Sequence, residues 1–295
     1  MTDAAHRCGH VAIVGRPSVG KSTLLNALVG ARISITSRKP QTTRHRVAGI
    51  HSDAGVQFIF VDTPGFQTRH ASKLNARLNR TVRDALVDVD VVVFVTDASR
   101  FMAADRAVLA LLPSEVPVIA ALNKTDALSD KRALLPRIAE IAALREFSAI
   151  IPISAERGEG LPALKEAIAG HLPQGPALYA DDALTDRDER FLAAEFIREK
   201  IFRLAGDEVP YSTAVTIDEF EHDGELRRIR ATVLVDKAGQ RAILVGRDGA
   251  QMKAIATQAR ADMERLFGGR VFLDVWVRVK GGWADSDAML TRLGY

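Results

Sequence analysis

The stretch Gly15-Arg16-Pro17-Ser18-Val19-Gly20-Lys21-Ser22-Thr23 constrains this chain more than any other. Two glycines five positions apart are followed at once by Lys and Ser. An apolar run, His10–Val14, precedes the loop, and a helical pattern, Ser22–Val29, follows it. A glycine loop between a strand and a helix turns backbone N–H groups toward a phosphate chain at the helix N-terminus. Gly15, Ser18, Val19, Gly20, Lys21, Ser22 and Thr23 are therefore the candidate phosphate cradle, with Lys21 reaching the terminal phosphates and Ser22 ligating magnesium. An eight-residue pattern of this kind is shared by many nucleotide enzymes, so the rest of the chain must say which one this is.

The next 150 residues keep the strand–helix rhythm. His45–His51 and Val56–Val61 read as two strands joined at Asp53-Ala54-Gly55, and Asp90–Thr96, Val116–Leu122 and Ala149–Ile153 are continuous apolar runs. Such runs suit parallel strands covered on both faces. Helical stretches near Leu74–Leu86, Ala103–Leu112, Asp130–Glu146 and Leu161–His171 separate them. The expected fold is α/β, with a mostly parallel six-stranded sheet, helices on both sides and one antiparallel edge strand.

Three further segments fall at the C-terminal ends of predicted strands, where open α/β sheets bind ligands. Asp62-Thr63-Pro64-Gly65 offers a carboxylate for magnesium and a backbone N–H at Gly65 that can face a γ-phosphate. Asn123-Lys124-Thr125-Asp126 offers a carboxylate at Asp126 that can accept from both donors of the guanine edge, donors that adenine lacks. The Lys124 stem can lie along the base. Ser154-Ala155-Glu156 offers a backbone amide to the base oxygen. Taken singly, each is also an ordinary strand-ending turn or helix cap. Together, and in this order, they predict a guanine-nucleotide site holding GTP or GDP with Mg2+. The polar, basic segment Ser34–Arg46 is expected to be a mobile switch, with Thr43, or alternatively Thr42, sensing the γ-phosphate and ligating magnesium.

Residues Leu172 to Asp188 contain two prolines, a glycine and four aspartates and read as a linker. This divides the chain into a nucleotide domain over 1–172, a linker over 173–188 and a second domain over 189–295. The second domain is expected to run helix Glu189–Leu204, strands Ala214–Glu221 and Leu226–Val235, a glycine loop at Gly246, helix Ala250–Phe267 and strand Val271–Val279. A helix–Gly-x-x-Gly–helix turn can press backbone amides against nucleic-acid phosphates. Between Lys237 and Lys280 nine Lys/Arg face four Asp/Glu, whereas Asp181–Asp236 holds eight basic and fifteen acidic residues. A local basic face on an acidic domain suits a shaped single-strand site. Arg241, Gly246, Arg247, Gly249, Lys253 and Lys280 are the candidate RNA contacts, and a solvated helix face is the alternative for the basic side chains. Trp276 alternates within its strand and is expected in the core; Trp283, between glycines and the tail, fits core or base stacking alike.

Cys8 is the single cysteine, so no intrachain disulfide is available and a reducing compartment is expected. No secretory signal and no transmembrane-length apolar run is read, which points to the cytoplasm. His6, Cys8 and His10 lack a fourth partner and are not read as a metal site.

With these pieces in place, the chain resembles the Era family of bacterial ribosome-assembly GTPases. GRPSVGKST, SITSRKPQTTRHR, VDTPGF, NKTD and SAERGEG carry the resemblance in the first domain, and LVGRDGAQMKAI and VFLDVWVRVKGGWADSD carry it in the second. The resemblance implies a P-loop GTPase domain followed by a smaller α+β type II KH domain. It also implies GTP hydrolysis, binding to the 3′ end of 16S ribosomal RNA, and maturation of the small ribosomal subunit. A monomer is expected, and peripheral contact with the inner membrane stays open. Two positions depart from the family pattern. Ser18 stands where relatives carry Asn, a residue that helps hold potassium in those that use it. Asp248 puts an acid in a loop that is usually basic. The position after the Asp-Thr-Pro-Gly turn, where small signalling GTPases place a water-orienting Gln, is Phe66. Catalysis is therefore expected to rest on Lys21, Thr43, magnesium and the Gly65 N–H, with a slow basal rate. The alternatives are an RNA-binding module with little hydrolysis, an Era-like GTPase at the membrane, and a P-loop kinase or ATPase, against which Asn123 and Asp126 argue.

Overall fold

The computed structural model describes residues 6–37, 39, 42–66, 73–206 and 209–294. It divides into two compact units. The first is built on strands β1 (Arg7–Val14), β2 (Val47–Asp53), β3 (Val56–Asp62), β4 (Val91–Asp97), β5 (Val118–Asn123) and β6 (Ala149–Pro152). They form one sheet in the order β2-β3-β1-β4-β5-β6, parallel throughout except for β2, which pairs antiparallel with β3 at the edge. Helices α1 (Lys21–Val29), α2 (Lys73–Asp84), α3 (Ala103–Leu109), α4 (Leu134–Ala142) and α5 (Leu161–Ala169) connect them, the first turn of α2 counting with the second unit. Every residue of β4 and of β5 is buried, which is why their sequences run apolar without alternation. Val92, Phe94, Val118, Ala120 and Leu122 share a core with Ala12, Val14, Val108 and Ile141. Each fully buried Val or Leu contributes roughly 1.5–3 kcal/mol of transfer free energy.

The Pro- and Asp-rich stretch expected as a linker is seated on this unit as far as Asp186. Ile50 N–H donates to the Leu184 carbonyl at 2.9 Å, Thr185 Oγ1 donates to the Ala48 carbonyl at 2.7 Å, and Ala48 N–H donates to Asp186 Oδ1 at 3.1 Å. The buried Gln57 amide accepts from the N–H groups of Leu178 and Tyr179 and donates to the Tyr179 carbonyl. The stretch thus covers the open edge of β2, which would otherwise present unpaired backbone groups. Composition signals a loop here; where that loop lies depends on a sheet edge elsewhere in the chain.

The second unit starts with α6 (Glu189–Leu204), capped by the Asp188 side chain, which accepts from Phe191 N–H at 2.8 Å. Then come β7 (Thr213–Asp223), β8 (Leu226–Val235), α7 (Ala238–Val245), α8 (Ala250–Phe267), β9 (Arg270–Val279) and a short α9 (Asp287–Arg292). The sheet order is β7-β8-β9; β7 and β8 form an antiparallel hairpin, and β8 and β9 run parallel, with the α7–α8 pair as the crossover that parallel pairing demands. Phe196, Ile197 and Ile201 of α6 meet Ile229, Ala231 and Val233 of β8 and Ile255, Ala259 and Met263 of α8 in one core. Trp283 is 1% exposed, so packing rather than stacking is its role.

The described residues of 35–42 count with this second unit. The fully buried Glu199 carboxylate accepts from Thr36 N–H at 3.0 Å and Thr36 Oγ1 at 3.3 Å, and Lys39 Nζ donates to the carbonyls at the end of α6, Ala205 at 2.8 Å and Gly206 at 3.1 Å. Residues 38, 40 and 41 of the expected switch lie outside the described residues. Among the described residues no helix is long and apolar enough to cross a membrane.

Candidate nucleotide site and nucleic-acid groove

The phosphate loop links β1 to α1. A Cβ on Gly15 would sit 2.3 Å from the Val95 carbonyl, and Gly20 takes φ 99° with its Cα facing the Asn123 amide, so neither position admits a side chain. Ser18 also holds positive φ, at 62°. Lys21 is buried and its Nζ donates to the Arg16 carbonyl at 3.2 Å. Burial pulls its pKa down to about 8, the Asp62 carboxylate works against that, and the Arg16 cation adds to it.

Asp62, at the end of β3, is wholly buried. Its Oδ2 accepts from Ser22 Oγ at 2.7 Å, Ser34 Oγ at 2.9 Å and Thr43 Oγ1 at 3.4 Å, and Ser22 and Thr43 are 2.7 Å apart. Its Oδ1 has no partner among the described residues. Burial raises the Asp62 pKa, while Lys21 and the three hydroxyls draw it back. A carboxylate with an orphaned oxygen amid hydroxyls is a hard-oxygen donor set of the type magnesium takes. Of the two threonines, Thr43 reaches this cluster; the Thr42 hydroxyl donates to the Lys39 carbonyl. Gly65 lies flat against Pro17, with a built Cβ 2.7 Å from Pro17 Cα, which seats the turn after β3 on the phosphate loop.

On the other side, Asn123 ends β5 and uses both ends of its amide: Nδ2 donates to the Val19 carbonyl at 2.8 Å and Oδ1 accepts from Ala155 N–H at 3.0 Å. It ties the phosphate loop to the Ser154-Ala155-Glu156 segment. Lys124, at φ 68°, stretches over the phosphate loop, its Nζ donating to the Ser18 carbonyl at 2.8 Å and to Asp97 Oδ2 at 3.0 Å. Asp126 Oδ1 accepts from Ser154 Oγ at 2.5 Å. Glu156 is exposed. All four sequence segments therefore meet at the C-terminal edge of the first sheet.

Four residues of this edge escape sequence reading. Asp97 ends β4 and fixes Lys124; burial would raise its pKa, but hydrogen bonds from Ser99 and Lys124 hold it below the usual carboxylate range. Arg16 and Asp105 form a buried pair, Nε to Oδ2 at 2.9 Å, while Asp105 also accepts from Met102 N–H at the start of α3. Ser34 joins the Asp62 cluster. Asp97 shares the strand-end position of the recognised motifs, and that was the available signal; Arg16 and Asp105 lie 89 residues apart and gave none.

In the second unit, Gly246 takes φ 72° and ψ −179°, a region open only to glycine, and a Cβ there would meet Gln251 at 2.7 Å. Asp248 and Gly249 also have positive φ, at 52° and 76°. Beside this loop a cleft of about 400 Å3 lies between α7, α8 and β9. Arg241, Gly249 and Lys253 line it; Gly246, Arg247 and Lys280 do not, and Arg247, Asp248 and Lys280 are exposed. Trp276 also lines the cleft and is 61% exposed, which corrects its expected place in the core. Leu273, Val275 and Val277 turn to the core of the unit, so the other parity of β9, with Asp274 and Trp276, faces away. The charge at Asp274, two residues before Trp276, marked the outward parity.

An α–β–β–α–α–β unit with a Gly-x-x-Gly turn, following a phosphate-loop sheet that carries a guanine-selecting edge, defines the class: a P-loop GTPase joined to a KH domain. The family model for 50S ribosome-binding GTPases matches residues 10–124, and that for the KH domain matches residues 208–284. The chain is 54% identical to GTPase Era of Chromobacterium violaceum over 294 residues, covering 100% of this chain and 99% of that one. It is 52% identical to GTPase Era of Nitrosomonas eutropha over 295 residues, covering 100% of both. Among solved structures, an Aquifex aeolicus Era variant bound to GDP and AlF4− superposes with a TM-score of 0.94 at 36% identity, over 98% of this chain and 99% of the other. Era bound to MgGDPNP and nucleotides 1506–1542 of 16S ribosomal RNA superposes with a TM-score of 0.95 at 36% identity, with the same coverage. The chain belongs to the Era family of GTPases.

Proposed function

We propose that this GTPase hydrolyses GTP with magnesium and uses its KH domain to bind the 3′ end of 16S ribosomal RNA during small-subunit assembly, as a monomer in the cytoplasm. The observation that carries the nucleotide half is the Asp62 cluster: an orphaned buried carboxylate oxygen beside Ser22, Thr43 and Lys21, on the same sheet edge as Asn123 and Asp126. The RNA half rests on the cleft beside the Gly-x-x-Gly turn and on the likeness to an Era that was solved with that RNA.

Ser22, Thr43 and Asp62 would hold the magnesium, which supplies charge neutralisation at the phosphate oxygens. Lys21 binds the terminal phosphates, and the backbone N–H groups of Gly15 to Ser22 cradle the chain. Asp126, oriented by Ser154, accepts from the guanine edge, and Asn123 keeps the base and phosphate ends of the site in register. Phe66 packs against the core and has no hydrogen-bonding group, so the attacking water is oriented by backbone groups of the switch segment, while the Gly65 N–H would face the γ-phosphate. A site without a side chain to orient water is slow alone and speeds up when a partner orders the switch. Phosphate release should accordingly be slow for the isolated chain and rise with the 3′ end of the ribosomal RNA. Turnover of many per second without a partner, or equal competition by ATP, overturns the nucleotide half. Crosslinking to cellular RNA with GTP or GDP held fixed tests the RNA half, and scattered reads would overturn it.

A further inference from the structure

The segment from Ser34 to Thr43 is held by two different parts of the chain. Ser34 and Thr43 count with the first unit, and both hydroxyls donate to the same carboxylate oxygen, Asp62 Oδ2. Residues 35–42 count with the second unit, and Thr36 and Lys39 are tied there to α6. Thr36 is gripped by all its polar groups. Glu199 accepts from its N–H and its hydroxyl, while Arg203 donates to that hydroxyl at 3.0 Å and to its carbonyl at 3.3 Å. Thr42 donates to the Lys39 carbonyl, and the Lys39 ammonium in turn donates to the carbonyls that end α6. The anchor therefore changes between Ser34 and Thr36 at one end and between Thr42 and Thr43 at the other, spans of chain too short to leave slack.

Glu199 is the odd member of this set. It is fully buried, it meets Arg203 Nη2 at 2.9 Å, and Lys200, 3.6 Å away, is held more closely by Asp262. A buried charge is costly, and a packed apolar side chain would serve the core of the unit at least as well. What the carboxylate adds is a fixed acceptor for Thr36, in the segment that carries Thr43 to Asp62.

We infer that Glu199 and Arg203 are positioning residues for the magnesium site: by fixing Thr36 they fix the path of the segment and set the Thr43 hydroxyl beside Asp62 and Ser22. They act through Thr36, not on the ion. Groups that orient the ligands of a metal typically carry about 10–100-fold of its affinity. Because Thr43 answers to the γ-phosphate, the effect belongs to the triphosphate state. The inference rests on the assignment of Ser22, Thr43 and Asp62 to magnesium given above.

The test uses the full chain loaded with a fluorescent, non-hydrolysable GTP analogue or with fluorescent GDP. It reads the Mg2+ concentration that slows nucleotide release by half. Arg203→Ala and Glu199→Ala should each raise the requirement of the analogue about tenfold and leave that of GDP unchanged. Glu199→Gln keeps an acceptor for the Thr36 N–H and should recover most of the loss. Glu199 is buried, so Arg203→Ala, whose side chain is 44% exposed, carries the test where Glu199→Ala fails to fold. Thr43→Ala should raise the requirement of the analogue by itself, and adding Arg203→Ala to it should change nothing further, because both act on one contact. An equal shift for the two nucleotides in Arg203→Ala would mark a merely structural role and overturn the inference. If Thr43→Ala has no effect, the magnesium assignment falls and this inference with it. If Thr43→Ala has its effect but Arg203→Ala has none, or if the two effects add in full, the anchoring by α6 is overturned and the assignment stands.

Discussion

The nucleotide site and the KH cleft solve opposite problems. Lys21, Asp62, Asn123 and Ser154 are 6%, 0%, 2% and 0% exposed, and nearly every polar atom among them is held by another part of the chain. Arg241, Arg247, Lys253 and Trp276 stand in or near solvent, and only the Trp276 indole is tied down, by Asp274. A compact, highly charged ligand is best met by donors fixed in place beforehand, because oriented dipoles in a dry site need no reorganisation. A flexible polymer is met by spread charge and shape, and its affinity falls with salt. One region therefore stores its specificity in cross-braces, and the other in a few exposed groups around a glycine turn.

The sharpest break in this contrast is at the base-reading carboxylate. Asp126→Asn should lower GTP affinity by about 10³-fold and favour xanthosine triphosphate, measured by competition, because a site built to pair a specific donor rejects a ligand that no longer matches. Lys21→Met should reduce phosphate release at saturating GTP by about 10²–10³-fold and leave RNA binding intact. Asp105→Ala leaves the Arg16 guanidinium buried without its carboxylate, at a cost of about 3–5 kcal/mol in denaturant unfolding, with the phosphate loop as the first region to lose hydrogen-exchange protection. The cleft should respond more gently: Lys253→Ala weakens RNA binding across sequences and lowers the salt slope by about 1, with hydrolysis unchanged. The smallest effect is acid dependence at Asp97. Hydrogen bonds from Ser99 and Lys124 outweigh burial and lower its folded-state pKa, so its contribution to stability is present above the usual carboxylate pKa and is lost as pH falls through the lowered one. The stability gap between the parent chain and Asp97→Asn should therefore shrink as unfolding is measured at successively lower pH.

Most of the first sheet is legible because β4 and β5 are buried on both faces and their apolar runs are unbroken. The edge is legible in part. Asp62, Asn123 and Asp126 lie in short motifs whose spacing is local, and the hairpin at Gly55 announces β2. What holds β2 at its outer side is not legible: Leu184 and Thr185 pair with a strand about 135 residues earlier, with no pattern in either segment to join them. The same distance hides Arg16 and Asp105. Trp276 was misplaced because alternation gives two faces of a strand without saying which one is wet.

By itself the sequence determined the chemistry: which atoms can meet a phosphate, a guanine or a phosphodiester, and in which order along the chain, since those demands are met within a few residues of backbone. Tertiary structure decided which of those groups are braced and which are free. Asn123 became a tie between loops, Thr43 rather than Thr42 joined the Asp62 cluster, and Trp276 turned to solvent. Burial and long-range hydrogen bonds are properties of neighbours in space, and only the folded chain brings those neighbours together.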